Sequence, residues 1–512
     1  MFCRLAYGLL ASGLVLSLVL LLLPNATFDY MPGAYTILLT ITISLIVMWS
    51  LRMVAKYLFR GHEHESAERI FFRTLKMGDY ADNTLRAKKK INLCLAHMSE
   101  DGQEMKYVKE AFDTNWVVPL GPNVNAFEKD LEAFVGENKR VVALSAGTAA
   151  VNLALRACGV QAGDEVIVQS FTFCASANPV AYIGAIPVFV DSEPLTWNMD
   201  PELLETAIKD RIAKTGKKPK AIIPVALYGM PYQADRILEV AGRYEIPVIE
   251  DAAEGFGSRW KGQTLGTFGK YGVLSFNGNK MITTSGGGAL VCADDQSKKN
   301  IMWYATQARE SYPYYQHEAI GYNYRLSNVC AGIGRGQMTV ADDHIAHHKH
   351  VQKLYEQLLA DVPGIRIHKA PTSEELGVRS EELVCDSNYW LCAITLDEDL
   401  KIVGQENAYK TIVSGAVGGA AGVIRMADSA TTDCQPNANV EALRVYMDEH
   451  QIEARPLWKP MHKQPVFKHV PAYVNGVSES LFKVGVCLPA GPCVTDEDVR
   501  YIVNCIKEAI VG

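Results

Sequence analysis

The sequence has no strong excess of either charge and no long tract of a single residue type. Its 50 Lys and Arg against 57 Asp and Glu give a net charge of −7, which argues against a nucleic-acid-binding surface. Hydrophobic residues make up 48% and charged residues 21% of the chain, a composition typical of globular proteins. A chain of 512 residues exceeds what one compact core supports, so we expect two or more folded units.

No two cysteines have the two-residue spacing of a zinc or thiol-redox motif. The chain has 12 cysteines, scattered and mostly among apolar neighbours. We therefore expect reduced, buried thiols of a cytoplasmic enzyme, without disulfides and without a metal site.

Charge is missing altogether from two long stretches near the N-terminus. Leu5 to Leu23 and Gly33 to Leu51 carry none, and each is about as long as a membrane-spanning helix. The loop between them has one acid and no base, whereas Arg52, Lys56 and Arg60 follow the second run. The positive-inside rule then predicts a transmembrane hairpin over 1–60, with both flanks in the cytoplasm. This would be a multi-pass inner-membrane protein that contacts lipid. A cleaved signal peptide and a misassigned start codon are the alternatives.

The rest of the chain indicates an α/β architecture. A polar linker with a basic cluster at its end covers 61–90. After it, short runs rich in Val and Ile, such as 140–144 and 186–190, alternate with helix-length segments. This alternation predicts a mostly parallel sheet covered on both faces.

Two domains are predicted beyond the linker. A large domain spans 91–345 and a smaller α+β domain spans 346–512, with a long helix near Asn328 to Leu359 at their junction. A strand is expected near Tyr389 to Thr395, and a Gly- and Ala-rich loop insertion near 403–439.

Lys280 stands among Gly, Asn and small residues in the stretch 275–288, which suits a side chain that must reach a bulky planar ligand. Schiff-base chemistry needs an amine that is neutral part of the time, and enclosure away from water favours the neutral form. Taken alone, a solvated surface lysine explains the same pattern.

Three further motifs each follow an apolar strand-like run. Asp251 and Glu254 could pair with a ring nitrogen, or Asp251 could simply cap a helix. Gly147 and Thr148 open a helix whose free N–H groups suit a phosphate, although a plain N-terminus looks the same. Phe173 could stack on a planar ligand at a strand end, or belong to the core.

Taken together and in chain order, the four motifs resemble those of the DegT/DnrJ/EryC1/StrS family of sugar aminotransferases, which are fold-type I pyridoxal-phosphate (PLP) enzymes. The resemblance runs from about Ile91 to the C-terminus, apart from the insertion, and includes the stretches 115–122, 321–326 and 455–462. It is greatest to members that make 4-amino-sugars on nucleotides for bacterial glycans, including EpsN-like enzymes. The implied fold is a mostly parallel-sheet large domain with a smaller C-terminal domain.

The resemblance implies a role for each matching residue. Lys280 would carry the cofactor and move the proton, Asp251 would pair with the pyridine nitrogen, and Glu254 would hold the ring's hydroxyl side. Phe173 would stack on the ring. The phosphate would be held by Gly147, Thr148 and Ser275.

The resemblance also implies a homodimer with shared active sites. The segment from Gly321 to Arg325 would reach in from the partner subunit, with Asn323 as the leading contact and Arg325 behind it.

The implied reaction is amination of a nucleotide-linked keto-sugar with glutamate as donor. A UDP- or dTDP-4-keto-6-deoxy-hexose is favoured, with C4 preferred over C3, in bacterial polysaccharide biosynthesis. The family also contains dehydratases in which a histidine replaces the lysine, so Lys280 favours transamination. A PLP-dependent dehydratase or lyase and an inactive membrane-anchored scaffold are the alternatives, and the complete set of cofactor motifs argues against the scaffold.

Overall fold

Residues 88–512 form one compact unit, of which this computed structural model describes residues 90–378, 383–409 and 434–511. Its helices are α1 (Gln103–Asp113), α2 (Pro122–Val135), α3 (Gly147–Ala157), α4 (Asn178–Tyr182), α5 (Pro201–Thr215), α6 (Ala234–Arg243), α7 (Asp295–Ala305), α8 (Asn328–Met338), α9 (Ala341–Leu359), α10 (Ala438–Glu449), α11 (Val477–Val484) and α12 (Asp496–Ala509).

The strands are mostly short. They are β1 (Arg140–Leu144), β2 (Glu165–Gln169), β3 (Ile186–Val190), β4 (Ala221–Ile223), β5 (Ile249–Asp251), β6 (Arg259–Trp260), β7 (Gln263–Thr264), β8 (Tyr271–Ser275), β9 (Gly288–Cys292), β10 (Ile365–Ile367), β11 (Cys385–Asp386), β12 (Cys392–Leu396), β13 (Arg455–Pro456), β14 (Ala472–Tyr473) and β15 (Gly485–Leu488).

The main sheet is mostly parallel, as predicted. Strands β14-β3-β2-β4 pair in parallel, and so do β5 and β8. Parallel bridges from Ile222 to Val248 and from Val225 to Asp251 join the two halves. At the far edge, β9 runs antiparallel to both β8 and β1, a direction that the apolar pattern of the sequence did not predict.

Apolar clusters cover both faces of this sheet. Within β2, Ile167 packs into one cluster, whereas Val166 and Val168 pack into the other. Successive side chains of a strand point to opposite faces, so a run of Val and Ile is buried throughout. Burial on both faces explains why these strands read as continuous apolar runs.

A second sheet, β10-β12-β15-β13, is antiparallel throughout. Its apolar side chains share a third cluster with those of α9, α10 and α12. The strand expected near Tyr389 to Thr395 is β12. The domain boundary predicted at residue 345 remains a prediction.

The long helix predicted near Asn328 to Leu359 is two helices, α8 and α9. The break falls at Thr339 and Val340: the Thr339 hydroxyl donates to the Gly336 carbonyl over 2.6 Å, and Val340 leaves helical geometry with φ −121° and ψ 9°. Both residues are β-branched, which weakens a helix at this point.

The predicted inner-membrane location is corrected. Among residues 90–378, 383–409 and 434–511, no helix is both long and apolar enough to cross a bilayer. The two apolar runs that prompted the hairpin prediction, and the 61–90 linker up to residue 89, lie outside the described residues, as does the Gly- and Ala-rich core of the insertion. The predicted contact with membrane lipid depended on that location and is corrected with it.

Candidate active site

A cavity of about 370 Å³ lies at the carboxyl ends of β1, β2, β5 and β8. Open α/β sheets bind ligands at this edge, because the loops that follow neighbouring strands converge there. Seven of the nine predicted site residues line the cavity: Gly147, Thr148, Phe173, Asp251, Glu254, Ser275 and Lys280.

One end of the cavity is formed by the N-terminus of α3. No side chain of the described residues caps this helix, so its first N–H groups, at Gly147 and Thr148, are directed at the cavity. A Cβ at Gly147 would lie 3.2 Å from that of Ser275, and a Cβ at Gly288 would lie 2.4 Å from the Gly147 nitrogen. Glycine at both positions lets β8 and β9 approach the helix closely, which makes a compact anion-binding site.

Two buried carboxylates, Asp251 and Glu254, line the middle of the cavity. Asp251 ends β5 and accepts hydrogen bonds from the Ser176 hydroxyl at 2.6 Å and from the Ala253 N–H at 3.2 Å. Glu254 accepts from the Tyr228 N–H at 2.7 Å. Burial raises the pKa of both carboxyl groups, while Ser176 opposes the rise at Asp251 and Lys280 opposes it at Glu254. Each carboxylate therefore gains from a cationic partner in the cavity.

Lys280 extends towards these carboxylates, with its side chain 12% exposed. Its Nζ lies 3.4 Å from Glu254 Oε1 and 4.0 Å from the centre of the Trp390 ring. The amine is thus enclosed by a carboxylate and an aromatic face.

Aromatic rings form the outer wall. Phe173 is 50% exposed, and its ring centre lies 5.4 Å from that of Trp458. The Tyr228 hydroxyl accepts from the main-chain N–H of Trp458 at 2.8 Å. A planar ligand between Phe173 and the sheet edge would be covered on its outer face.

Asn323 and Arg325 do not line this cavity. Asn323 is exposed and pairs through its main chain with Thr306, while Arg325 is half-buried, and its main chain pairs with Leu144. Among the described residues, Arg325 Nε is buried and has no hydrogen-bond partner. That Asn323 and Arg325 act in the active site of a partner subunit remains a prediction.

Three cavity residues with prominent contacts were not among the predicted site residues: Ser176, Trp390 and Trp458. Ser176, which holds Asp251, follows Phe173 by three positions, so its place beside the motif was the available signal. Trp390 and Trp458 come from segments far away in sequence. Trp458 lies in the stretch 455–462, which is part of the family resemblance, whereas nothing in the sequence around Trp390 pointed to the cavity.

Comparison with known proteins decides the family. The model of the DegT/DnrJ/EryC1/StrS aminotransferase family matches residues 98–410 and 423–507. The chain belongs to this family. The interruption in the match, 411–422, falls within the predicted insertion.

Two relatives match this chain along nearly their whole length. A protein named as the pyridoxal phosphate-dependent aminotransferase EpsN, from Bacillus subtilis (strain 168), is 41% identical over 420 residues, 81% of this chain and 95% of its own. GDP-perosamine synthase from Caulobacter vibrioides is 33% identical over 411 residues, 80% of this chain and 96% of its own. A DegT/DnrJ/EryC1/StrS aminotransferase structure from Brucella abortus superposes with a TM-score of 0.66 at 26% identity, covering 80% and 95% of the two chains.

The chain is therefore a sugar aminotransferase with the fold-type I architecture, and PLP is its cofactor. The cavity fits this cofactor: one space contains an enclosed amine, a buried carboxylate and an uncapped helix N-terminus. These are the chemical partners of an aldehyde, a pyridine nitrogen and a phosphate.

Proposed function

We propose that this enzyme transfers the amino group of glutamate to the keto carbon of a nucleotide-linked hexose in bacterial polysaccharide biosynthesis. The favoured substrate is a UDP- or dTDP-4-keto-6-deoxy-hexose, with C4 preferred over C3. The observation that carries the proposal is the position of Lys280, whose amine shares one cavity with Asp251 and Glu254. The names of the relatives EpsN and GDP-perosamine synthase support a sugar substrate.

Three residues perform the chemistry in this proposal. When bound, PLP supplies an electron sink for a carbanion at the substrate carbon. Lys280 holds the cofactor covalently and afterwards moves a proton at its Nζ to and from the substrate carbon. Asp251 pairs with the protonated ring nitrogen, because a buried carboxylate stabilises a cation beside it. Glu254 holds the hydroxyl side of the ring.

Four residues bind and orient in this proposal. The N–H groups of Gly147 and Thr148, together with the Ser275 hydroxyl, hold the phosphate at the start of α3. Phe173 covers the ring and excludes water from its outer face.

The active unit in this proposal is a homodimer in which Asn323, with Arg325 behind it, reaches the partner's site. The supporting observation is an exposed apolar strip close to this segment. Asn328, three residues after Arg325, holds the strip through two donated hydrogen bonds. Its Nδ2 donates to the Trp116 carbonyl over 3.0 Å and its main-chain N–H donates to the Val118 carbonyl over 2.9 Å. Trp116, Val118 and their apolar neighbours Phe112, Val117 and Leu120 are exposed in the single chain, as expected of a surface that meets a second copy.

A screen of nucleotide-linked keto-sugars tests the substrate class. UDP-, dTDP- and GDP-linked 4-keto-6-deoxy-hexoses are incubated with the enzyme, PLP and ¹⁵N-glutamate, and the products are analysed by mass spectrometry. We expect an amino-sugar nucleotide that carries ¹⁵N, together with 2-oxoglutarate. A 3-keto isomer of each sugar distinguishes C4 from C3.

The matched control for this screen is a second lysine outside the cavity. Lys261→Ala removes an exposed amine that pairs with Asp235 over 2.7 Å, and it should leave amination unchanged, whereas Lys280→Ala should abolish it. A dehydrated sugar product without ¹⁵N would show that the enzyme is a dehydratase and does not transaminate the sugar. No product from any sugar would contradict the proposal.

A further inference from the structure

Main-chain carbonyls of the two neighbours of Lys280, Asn279 and Met281, accept hydrogen bonds from side chains of distant segments. Trp390 Nε1–H donates to the Asn279 carbonyl over 2.6 Å. His344 Nδ1 lies 3.1 Å from the Met281 carbonyl, and because a carbonyl only accepts, this nitrogen must bear the hydrogen. A shift of the main chain around Lys280 would disturb these two hydrogen bonds, of which the one to the Met281 carbonyl is buried.

The face of the Trp390 ring also contacts the Lys280 amine directly. Lys280 Nζ lies 4.0 Å from the ring centre, and Trp390 is only 2% exposed. The hydrogen bond from Nζ to Glu254 is long, at 3.4 Å. A desolvated cation–π contact changes an equilibrium by roughly thirtyfold, so the ring face is a substantial site for a free lysine ammonium.

Trp390 is in turn held from behind. Its main-chain N–H donates to Asn388 Oδ1 over 2.8 Å, and the carbonyl of Tyr389 accepts from His348 Nδ1 at 3.1 Å. His344 and His348 are four residues apart on α9 and therefore share one face of the helix. Burial lowers the pKa of His344 and lowers that of His348 to about 3, so both imidazoles are neutral and each donates one hydrogen bond.

We propose that Trp390 is a positioning residue for Lys280: its ring face holds the free amine in the cavity, while His344 and His348 of α9 fix the main chain that carries the two side chains. The inference rests on the role proposed for Lys280 and not on the identity of the sugar. During turnover the lysine must leave the cofactor and still return a proton to the right carbon. A cation site made by a ring keeps the amine near without the tight ion pair that a carboxylate would form.

The test observes the amine directly. Full-length protein with lysine ¹³C-labelled at Cε is loaded with pyridoxamine 5′-phosphate, which leaves the Lys280 amine free. We expect one lysine whose ε-proton resonances lie upfield of all the others, because they sit over an aromatic ring, and which is absent in Lys280→Arg. Trp390→Leu should return this resonance to the envelope of the other lysines. The matched control, Trp458→Leu, removes another cavity ring and should leave it upfield.

A smaller replacement guards against misfolding. Trp390→Phe keeps a ring and should keep a reduced upfield shift. In the half-reaction with glutamate, Trp390→Leu should lower the limiting rate roughly tenfold while the apparent glutamate affinity stays unchanged. An upfield resonance that persists in Trp390→Leu, or none in the wild type, would overturn the proposal.

The histidines are tested by rescue. The amide of His344→Asn can still donate to the Met281 carbonyl, so this variant should keep the upfield resonance, whereas His344→Leu should lose it. Identical spectra for these two variants would contradict the role given to His344. None of these measurements uses a sugar, so failure of the sugar screen leaves them unaffected, and their failure leaves the screen unaffected.

Discussion

The acid stability of the protein should depend on one buried histidine, His348. Burial lowers the pKa of His348 from 6.5 to about 3, and the neighbouring His347 and His344 add to the effect. Among the described residues, Nε2 has no hydrogen-bond partner, so an imidazolium there would bury a second, unsatisfied N–H. The folded protein therefore resists protonation that the unfolded chain accepts readily.

The sign and size follow from linkage. Between pH 6.5 and 3 the unfolded chain binds more protons at this site than the folded protein does, so stability falls as the pH falls through this window. The stability is fully present above pH 6.5. The pKa difference of about 3.5 units, at about 1.36 kcal/mol per unit, sets an upper bound of about 5 kcal/mol on the free energy of unfolding that is lost on acidification. Local opening around His348 would reduce this loss.

The assay compares the free energy of unfolding by urea in the wild type and in His348→Asn, whose amide can still donate to the Tyr389 carbonyl. From pH 6.5 to about 4.5, we expect the wild type to lose about 2 kcal/mol more than the variant. Other titrating groups are common to both proteins and cancel. Parallel curves would refute the reasoning. Burial also lowers the pKa of His368 to about 3. Comparison of the wild type with His368→Asn therefore provides a second, independent test.

The remaining predictions concern the site. Borohydride reduction of the cofactor-loaded protein should place the label on Lys280, and peptide mapping that finds it on another lysine would end that assignment. Asp251→Asn should keep the fold and lower turnover by roughly a hundredfold or more, as removal of one preorganised electrostatic partner does, and near-wild-type turnover would contradict its role. Ser176→Ala should have a smaller effect of about tenfold, since it removes one hydrogen bond to a charged group. Mixing Lys280→Ala with Asn323→Ala chains should restore some activity through hybrid sites, and full activity in a stable monomer would argue against a shared site.

The sequence by itself was sufficient for the architecture and for most of the cavity. Runs of Val and Ile are local signals, and they predicted the parallel strands because a strand buried on both faces has to be apolar throughout. Lys280, Asp251 and Gly147 each follow such a run. Since the carboxyl ends of parallel strands meet at one edge of a sheet, their convergence followed from the order of motifs alone.

Only the tertiary structure decided which other residues share the cavity. Trp390 and His344 reach Lys280 through contacts between segments far apart in sequence, and no local pattern encodes such packing. The antiparallel direction of β9 is likewise a matter of pairing, because an apolar run reads the same for either direction of its neighbour. The break between α8 and α9 is a local feature by contrast: the Thr339 hydroxyl donates to the Gly336 carbonyl three residues earlier, and the continuous helical pattern of the sequence did not predict it.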